Sequence, residues 1–297
     1  MLKNLDEVMQ HVKDNKKKKI AIVAAEDKEI IEVVEEATKS GLAEFIFIGS
    51  GQAIYKVLNK GNKQCNYEII DEPNHERAAE KAVELVHLGK AEALMKGNIH
   101  TGVFLKAILN KEKGLNLGRL ISQVSIFDKE YGEGLQFLTD CAIAIEPTLE
   151  DKKVIIENAI SFAIKLGYSR PKVALLSAIE VVNYRFKDTY EAAVLSKMGD
   201  RGQIKNAIID GPFALDNAIS PEAAEYKGIK GEVAGQADIL VVPNLQVGNV
   251  LSKSITFYAH KGVASAVLGA GAPIIMTSRT DSLMNKILSI AIASYIS

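Results

Sequence analysis

The chain has 297 residues, of which 47% are hydrophobic and 25% charged, and its 36 basic and 37 acidic side chains give a formal net charge of −1 at pH 7. This length suffices for one large or two medium domains with sizeable cores, which excludes a small scaffold held by disulfides or metal. A nearly neutral chain creates no general positive field, so neither nucleic acid nor an anionic membrane surface is an expected partner.

The first half of the chain alternates between helical and extended patterns. Apolar residues at helical spacing predict a first helix from Leu5 to about Asn15. Apolar strands of four to six residues that alternate with longer helices are typical of βαβ units around a mostly parallel sheet, which predicts an α/β fold. The predicted strands are 20–25, 44–48, 67–70 and 91–95, and the predicted helices are 28–40, one after Gly51, 75–88 and 101–109.

The pattern changes between residues 117 and 145, where two strands follow each other without a helix between them. We take this change as a crossing between two domains. The final segment, 281–295, is apolar on nearly every face and predicts a buried helix, packed on a sheet or at a subunit contact. The predicted strands from residue 120 onward are 120–127, 135–145, 172–176, 207–209, 239–242 and 274–276, and the other helices are 151–166, 189–198 and 222–226.

Signals for disulfides and for membrane insertion are missing. Cys65 and Cys141 are too few for a disulfide framework and have no metal-finger spacing, so we expect reduced thiols and a cytoplasmic location. Charged side chains within the first seven residues argue against a secretory signal. The longest apolar run, 263–276, is interrupted by glycine and proline and is shorter than the roughly 20 residues that cross a bilayer, so no transmembrane helix is predicted.

A polar loop connects the predicted strand 91–95 to the predicted helix 101–109. In open α/β sheets, ligands bind outside the carboxyl ends of the strands, and free N–H groups at a helix start favour anions. Lys96 adds a positive charge, Gly97 lets a ligand approach the backbone, and Thr101 offers a helix cap and a hydroxyl donor. The loop is a candidate anion site, although capping alone also accounts for Thr101.

A second polar loop, 277–282, lies between a predicted strand and the last helix. Arg279 supplies a planar fork of donors suited to phosphate or carboxylate, at a helix N-terminus that also favours anions. The alternatives are that Ser278 or Thr280 caps the helix and that Arg279 is a surface charge. Two such strand ends in one chain favour an anion-binding function.

Two further segments carry polar residues after predicted strands. Asp210 and Asp216 are six residues apart, and paired carboxylates hold metals or do acid/base work, whereas one alone often caps a helix. The strand 239–242 runs into a Pro/Asn/Gly loop, where Asn249 and Lys253 are candidate ligand contacts.

Other motifs are weak or missing. Residues 49–51, Gly-Ser-Gly, lie where a dinucleotide fingerprint begins, but Ile54 replaces its third glycine, so a tight strand-to-helix turn is favoured. The sequence contains no Gly-x-Ser-x-Gly elbow, no phosphate loop and no His-x-x-x-His pair. Of the five histidines, His100 alone lies in a candidate loop, and no metal site is predicted.

Taken together and in this order, five segments resemble the phosphate acetyl/butyryltransferase family. The resemblance covers nearly the whole chain, and the short length, residues 201–204 and residues 277–282 are more similar to the butyryl branch than to the acetyl branch. The five segments are Lys96-Gly97-Asn98-Ile99-His100-Thr101, Thr139-Asp140-Cys141-Ala142-Ile143, Asp210-Gly211-Pro212 with Asp216-Asn217-Ala218, residues 237–253, and Thr277-Ser278-Arg279.

The resemblance implies reversible transfer of a short acyl group, butyryl, between coenzyme A and inorganic phosphate, with no cofactor or metal. It implies two α/β domains of the isocitrate/isopropylmalate dehydrogenase type, with parallel-rich sheets, flanking helices and the active site in the cleft between them. The expected domains are residues 1–125 with 272–297, where the C-terminal helix completes the first domain, and residues 126–271. The expected partners are acyl-CoA and phosphate, and the expected assembly is a homodimer or larger even homo-oligomer.

The resemblance also implies which residues form the site. Ser278 and Arg279 match an active-site pair of the acetyl branch, in which the arginine holds the phosphate. The family's aspartate base falls on Asn285, which leaves Asp281 as a nearby substitute in the catalytic set. The expected substrate-binding residues are Lys96, Gly97, His100, Thr101, Asp210, Gly248, Asn249 and Lys253.

The residue chemistry fits such a reaction. Attack of a thiolate on an acyl phosphate needs removal of the thiol proton, donors for the carbonyl oxyanion, and positive charge on the phosphate. Arg279, Lys96 and two helix starts supply the positive charge, while Ser278 or Asn249 supplies donors.

Two alternatives remain open. A metal- and nicotinamide-dependent decarboxylating dehydrogenase on the same fold requires Asp210, Asp216 and Asp238 to form a metal site. A non-catalytic acyl-CoA-binding protein would keep the binding residues without turnover.

Overall fold

The computed structural model describes residues 2–59 and 67–297, so Cys65 lies outside the described residues. The chain divides into two compact units. The N-terminal unit contains Val8–Arg119 and Ala264–Ser297, and the central unit contains Leu120–Val263 and Met1–Glu7.

These boundaries differ from the predicted ones at 125/126 and 271/272. Residues 264–271 belong to the N-terminal unit because Val267 pairs with Ile274 in the same sheet. The first residues belong to the central unit because the Leu5 N–H donates to the Asp128 carboxylate at 2.8 Å.

The helices and strands alternate along most of the chain, as predicted. The strands are β1 Lys19–Val23, β2 Glu44–Gly49, β3 Glu68–Asp71, β4 Ala93–Lys96, β5 Ser122–Asp128, β6 Leu135–Thr139, β7 Lys172–Leu176, β8 Ile208–Phe213, β9 Ile239–Val241, β10 Ala264–Leu268 and β11 Ile274–Ile275. The helices are α1 Leu5–Asp14, α2 Lys28–Lys39, α3 Gly51–Asn59, α4 His75–His87, α5 Thr101–Ile108, α6 Leu149–Lys165, α7 Lys187–Asp200, α8 Leu215–Ile219, α9 Pro221–Tyr226, α10 Leu245–Phe257 and α11 Leu283–Ile296.

The sheet of the N-terminal unit has the strand order β3-β2-β1-β4-β11-β10, and only β10 is antiparallel to its neighbour β11. Its inner strands are buried on both faces, which explains their continuous apolar sequence. Helix α11 packs on this sheet, where the Ser289 hydroxyl accepts the Ser265 N–H at 2.9 Å. The prediction of a buried C-terminal helix on a sheet is confirmed.

The sheet of the central unit has the order β5-β6-β9-β7-β8. Strands β5 and β6 follow each other without a helix between them, as predicted. They pair antiparallel, and the other strands run parallel to β6. The carboxyl ends of β6, β9, β7 and β8 therefore lie at one edge. Buried side chains such as Leu138, Leu240 and Phe213 form the core against helices α8, α9 and α10.

Three local predictions were wrong. The predicted Pro/Asn/Gly loop ends at Asn244 and not at Asn249, because Asn244 caps helix α10 by accepting the Val247 N–H at 3.1 Å. Strand β6 ends at Thr139 instead of at residue 145, because the Asp140 carboxylate binds the amides that follow it. Strand β10 lies within the apolar run 263–276, for which no strand was predicted before residue 274.

Among the described residues, no helix combines the length and apolar character needed to span a membrane. Cys141 is a free, buried thiol, and burial raises its pKa to about 12.

A buried ion pair joins helices α6 and α7 of the central unit. Lys152 Nζ lies 2.6 Å from Glu191 Oε2, and both side chains are only 8% exposed. Lys187 approaches the other carboxylate oxygen at 3.1 Å. Burial raises the pKa of Glu191, but the hydrogen bonds from Lys152 and Lys187 outweigh it and hold the pKa below its ordinary value. The ionised form of Glu191 therefore stabilises the folded state.

We expect Lys152→Met to lower the free energy of unfolding by about 3 kcal/mol at pH 7, because it removes the buried partner of Glu191 and leaves that carboxylate with the more exposed Lys187. A carboxyl group whose pKa is lower in the folded state than in the unfolded state stabilises the fold at pH values above its unfolded-state pKa. This stabilisation is lost as the pH falls through the folded-state pKa. The difference between wild type and variant should therefore shrink below about pH 4, as urea unfolding at several pH values measures. The control, Lys153→Met, removes a more exposed partner of Glu157 and should change stability by less than about 1 kcal/mol. Equal losses in both variants would contradict this account.

Candidate functional site

Lys96 and Arg279 come together at the carboxyl edge of the N-terminal sheet. Strands β4 and β11 are parallel neighbours, with Leu94 beside Ile274 and Met95 beside Ile275, so the loops that follow them start side by side. The pKa of Lys96 lies below its ordinary value, first because the side chain is partly buried and second because of the positive charge of Arg279. Two cations that repel each other across this edge are stabilised when an anion lies between them.

The loop after β4 packs tightly against the end of β1. The Gly97 N–H donates to the Val23 carbonyl at 2.9 Å, and the Asn98 N–H donates to the Ala24 carbonyl at 2.9 Å. A Cβ on Gly97 would lie 2.3 Å from the Ala24 carbonyl oxygen. The glycine is therefore needed to bring the loop against β1, which differs from the predicted role of admitting a ligand to the backbone.

Ala24 itself has a φ of 55°, the left-handed region that non-glycine residues rarely adopt. Such backbone strain persists only where the surrounding structure holds it, and it is often found next to functional sites. Here the strained residue accepts the hydrogen bond that positions Asn98 beside Lys96.

Helix α5 begins without a side-chain cap. The N-cap position is His100, whose side chain makes no capping hydrogen bond, and Thr101 is the first helical residue. The prediction that Thr101 caps this helix was therefore wrong. His100, Thr101 and Gly102 are all exposed, so the first-turn N–H groups face solvent beside Lys96 and are placed to receive an anion.

The loop after β11 is held by its own polar side chains. The Ser278 N–H donates to Asp281 Oδ2 at 2.7 Å, and the hydroxyls of Ser278 and Thr280 lie 3.1 Å apart. Ser282 caps α11 by accepting the Asn285 N–H at 3.2 Å, so neither Ser278 nor Thr280 is the cap. Arg279 is exposed within this turn.

In the central unit, Gly248 and Asn249 lie in the first turns of α10 and hold it against the loop after β6. The Asn249 side-chain amide donates to the Cys141 carbonyl at 3.4 Å. A Cβ on Gly248 would lie 2.3 Å from the Asp140 carbonyl oxygen. Lys253 lies about one turn further along α10 and is exposed, with its ammonium 6.0 Å from the centre of the Phe257 ring.

Asp140 is a buried acid at this edge that was not among the predicted site residues. Its carboxylate accepts the N–H groups of Ala142, Ile143 and Ala144 at 2.8–3.1 Å. Burial raises the pKa of Asp140, and these backbone hydrogen bonds offset part of that rise. The polar residues after an apolar strand were a signal in the sequence, but the turn that encloses the acid was not visible there.

The three aspartates that a dehydrogenase would need do not converge. Asp210 lies in β8 and accepts the Gly211 N–H at 2.8 Å, while burial raises its pKa. Asp238 precedes β9, on the other side of β7, and pairs with Lys129 at 2.5 Å. Asp216 is exposed and pairs with Lys227 at 2.9 Å. In the part of the chain that the structure describes, no three His, Cys, Asp or Glu residues are arranged to hold a metal ion.

The structure therefore groups most of the predicted site residues by unit. At the carboxyl edge of the N-terminal sheet it gathers one set, which consists of Lys96, Gly97, His100, Thr101, Ser278, Arg279 and Asp281. In the central unit, Gly248 and Asn249 contact the Asp140 loop, whereas Asp210 and Lys253 make their contacts elsewhere.

A pair that the sequence interpretation missed lies at the carboxyl end of β1. His75 Nε2 lies 3.1 Å from Glu26 Oε1.

Comparisons with known proteins identify the family of this chain. A family model described as "Phosphate acetyl/butaryl transferase" matches residues 57–294. Phosphate butyryltransferase from Clostridium acetobutylicum is 43% identical over 297 residues, which cover 100% of this chain and 99% of that protein.

Solved structures give the same result. A branched-chain phosphotransacylase from Enterococcus faecalis V583 is 34% identical with a TM-score of 0.84, covering 94% of this chain and 98% of that one. A 4-hydroxythreonine-4-phosphate dehydrogenase from Klebsiella pneumoniae is 15% identical with a TM-score of 0.53, covers 95% of this chain and 99% of that one, and shares the fold alone. The predicted family resemblance and α/β fold are confirmed.

Gly97 and Gly102 provide a matched pair for testing how the Lys96 loop is held. A Cβ on Gly97 overlaps backbone atoms of β1, whereas a Cβ on Gly102 meets nothing within 4 Å. We expect Gly97→Ala to lower the free energy of unfolding by about 1–3 kcal/mol. Gly102→Ala should raise it by about 0.5–1 kcal/mol, because alanine is the better helix former. Thermal and urea unfolding measure both values, and a neutral Gly97→Ala would refute the packing role.

Proposed function

The chain belongs to the phosphate acetyl/butyryl transferase family, and we propose that it transfers butyryl groups reversibly between coenzyme A and inorganic phosphate. The proposal depends most on one observation, the two cations on the loops that follow the neighbouring strands β4 and β11, where burial first and the charge of Arg279 second lower the pKa of Lys96. The butyryl assignment is supported by the 43% identity to a phosphate butyryltransferase.

In this proposal, phosphate binds at the carboxyl edge of the N-terminal sheet. Arg279 holds two phosphate oxygens with its planar guanidinium, and Lys96 adds a second positive charge. The exposed N–H groups at the start of α5 donate from the same side. The phosphate then removes the repulsion between the two cations, so that the site is electrostatically most stable when it is occupied.

The chemistry follows from this placement. A phosphate oxygen attacks the thioester carbonyl, the carbonyl oxygen becomes an oxyanion, and the C–S bond then breaks to release the coenzyme A thiolate, which takes up a proton. In the reverse direction the thiol loses that proton and attacks the acyl phosphate. We assign the oxyanion contact to the Ser278 hydroxyl and the proton transfer to Asp281, whose carboxylate already adjoins the Ser278 backbone.

We assign residues of the central unit to acyl-CoA. Lys253 is an exposed cation suited to a coenzyme A phosphate, and Asp210 keeps its predicted place among the substrate contacts. Gly248 and Asn249 contribute by seating α10 on the Asp140 loop, which fixes where Lys253 is presented.

The dehydrogenase alternative is disfavoured because Asp210, Asp216 and Asp238 each have other partners. The non-catalytic alternative predicts that acyl-CoA binds without turnover, so the rate measurements below test it. A cytoplasmic location stays a prediction.

We also propose a homodimer or a larger even assembly, but for a reason other than the apolar sequence of the C-terminal helix. Helix α11 is largely buried within its own unit, so its apolar sequence no longer supports a subunit contact. The exposed apolar side chains of α10 and the residue after it support one instead, namely Val247, Phe257 and Tyr258.

Initial rates with acetyl-, propionyl-, butyryl- and hexanoyl-CoA test the function and its substrate together. Phosphate-dependent release of free thiol is followed, and kcat/KM should be highest for butyryl-CoA. Activity that persists in excess chelator excludes the metal-dependent alternative. If no acyl-CoA supports phosphate-dependent release of thiol, the proposed function fails. A maximum at acetyl-CoA would retain the reaction and change only the substrate.

Arg279→Ala should lower turnover by roughly two to three orders of magnitude, by analogy with the removal of one transition-state donor. The control is Arg170→Ala, which removes an exposed arginine before β7, and it should leave the rate unchanged. Steady-state kinetics at varied phosphate measure both variants, and thermal unfolding confirms that they fold. Unchanged phosphate-dependent activity in Arg279→Ala would remove this residue from the mechanism.

A further inference from the structure

The central unit contains a small apolar cavity that the proposed reaction does not use. It has a volume of about 190 Å³ and lies between helices α8 and α10 and the strands β5, β6 and β9. Its apolar walls are formed by Phe127, Leu215, Ile219, Leu240, Leu251 and Ile255. Apolar cavities of about 150 Å³ take up molecules as large as benzene, so this one has room for a chain of about six carbons.

Two amide side chains along the cavity already make hydrogen bonds to other groups of the protein. The Gln136 amide donates to the Ala237 and Asp238 carbonyls at 3.0 and 2.8 Å. The Gln236 carbonyl oxygen accepts from the Lys172 ammonium at 2.6 Å. A ligand that carries polar atoms along its length would therefore lose hydrogen bonds to water without replacing them, whereas an aliphatic chain loses nothing.

An ion pair, Lys261 with Glu130, lines one part of the cavity. Lys261 lines it with a side chain that is 25% exposed, and its ammonium contacts Glu130 Oε2 at 2.7 Å and the Asp128 carbonyl at 3.1 Å. An ammonium group has three donors, and these two contacts use two of them. The Glu130 side chain is 65% exposed, so water can solvate it when another carboxylate takes its place on Lys261.

We propose that this cavity is a binding site for a short aliphatic carboxylate, with the chain between α8 and α10 and the carboxylate on Lys261. The site does not depend on the acyl transfer proposed above, because its residues belong to neither the phosphate loops nor the acyl-CoA contacts. Its ligand packs against α10, the helix whose first turns hold the Asp140 loop through Gly248 and Asn249.

The chemistry of the site sets an order of affinities. Burial of each added methylene should tighten binding about threefold to fourfold until the cavity is full. Replacing the carboxylate by a hydroxyl removes the charge-assisted bond to Lys261, and replacing it by an ammonium group introduces repulsion. Hexanoate should therefore bind more tightly than butyrate, hexanol more weakly than hexanoate, and hexylammonium not at all.

Calorimetric titration of the full-length protein with these four compounds tests the proposal. Ile255→Phe fills the cavity and should abolish hexanoate binding, while Val250→Phe, on the exposed side of the same helix, should leave it unchanged. Lys261→Met should lower the affinity for hexanoate at least tenfold without changing the affinity for hexanol. Glu130→Gln should raise the affinity for hexanoate, because it removes the carboxylate that competes for Lys261.

Binding at the phosphate site is separated from binding in the cavity by Arg279→Ala and by competition. Hexanoate affinity should survive Arg279→Ala and saturating phosphate. Binding lost in either condition would place the carboxylate at Arg279 and overturn the cavity site. Lys261→Met changes a partly exposed side chain, so it tests the cavity site even if Ile255→Phe fails to fold. Hexanoate binding that is unchanged by Lys261→Met would also refute the proposal.

Discussion

The parallel pairing of β4 and β11, which places the cations Lys96 and Arg279 on neighbouring loops, is the constraint on which the candidate site depends. Parallel pairing of β4 and β11 places their loops side by side. Partial burial lowers the pKa of Lys96, and the nearby charge of Arg279 lowers it further, because charges interact more strongly in a partly buried site than in water. A protein keeps such an arrangement when an anion compensates it. The same geometry supplies the positive charge that transfer to or from phosphate requires.

Close backbone contacts hold the functional loops in both units. Gly97 brings the Lys96 loop against the end of β1, and Gly248 brings α10 against the Asp140 loop. In each case a carbonyl oxygen lies where a side chain would begin. The positions of the polar groups are therefore set by main-chain packing, which is stiffer than contacts between long side chains. The strained Ala24 belongs to the first of these contacts.

The site residues could be predicted only in part. The sequence pointed to Lys96 and Arg279 because charged residues followed apolar strands, but several roles were assigned incorrectly. Thr101 was expected to cap α5, yet the chain enters the helix one residue earlier, at an uncapped His100. Helix α10 was missed because a Pro/Asn/Gly sequence resembles a loop, while in the structure the same asparagine caps the helix.

The sequence by itself determined the alternation of strands and helices, the succession of β5 and β6 without a helix between them, and the burial of α11, because periodicity and apolar content are local properties. Tertiary structure decided which strand ends are neighbours, since pairing between β4 and β11 joins residues about 180 positions apart. It also decided that Asp210 and Asp238 are separate, because β7 lies between β8 and β9. Distances between segments depend on strand order, and strand order is not a property of any short stretch of sequence.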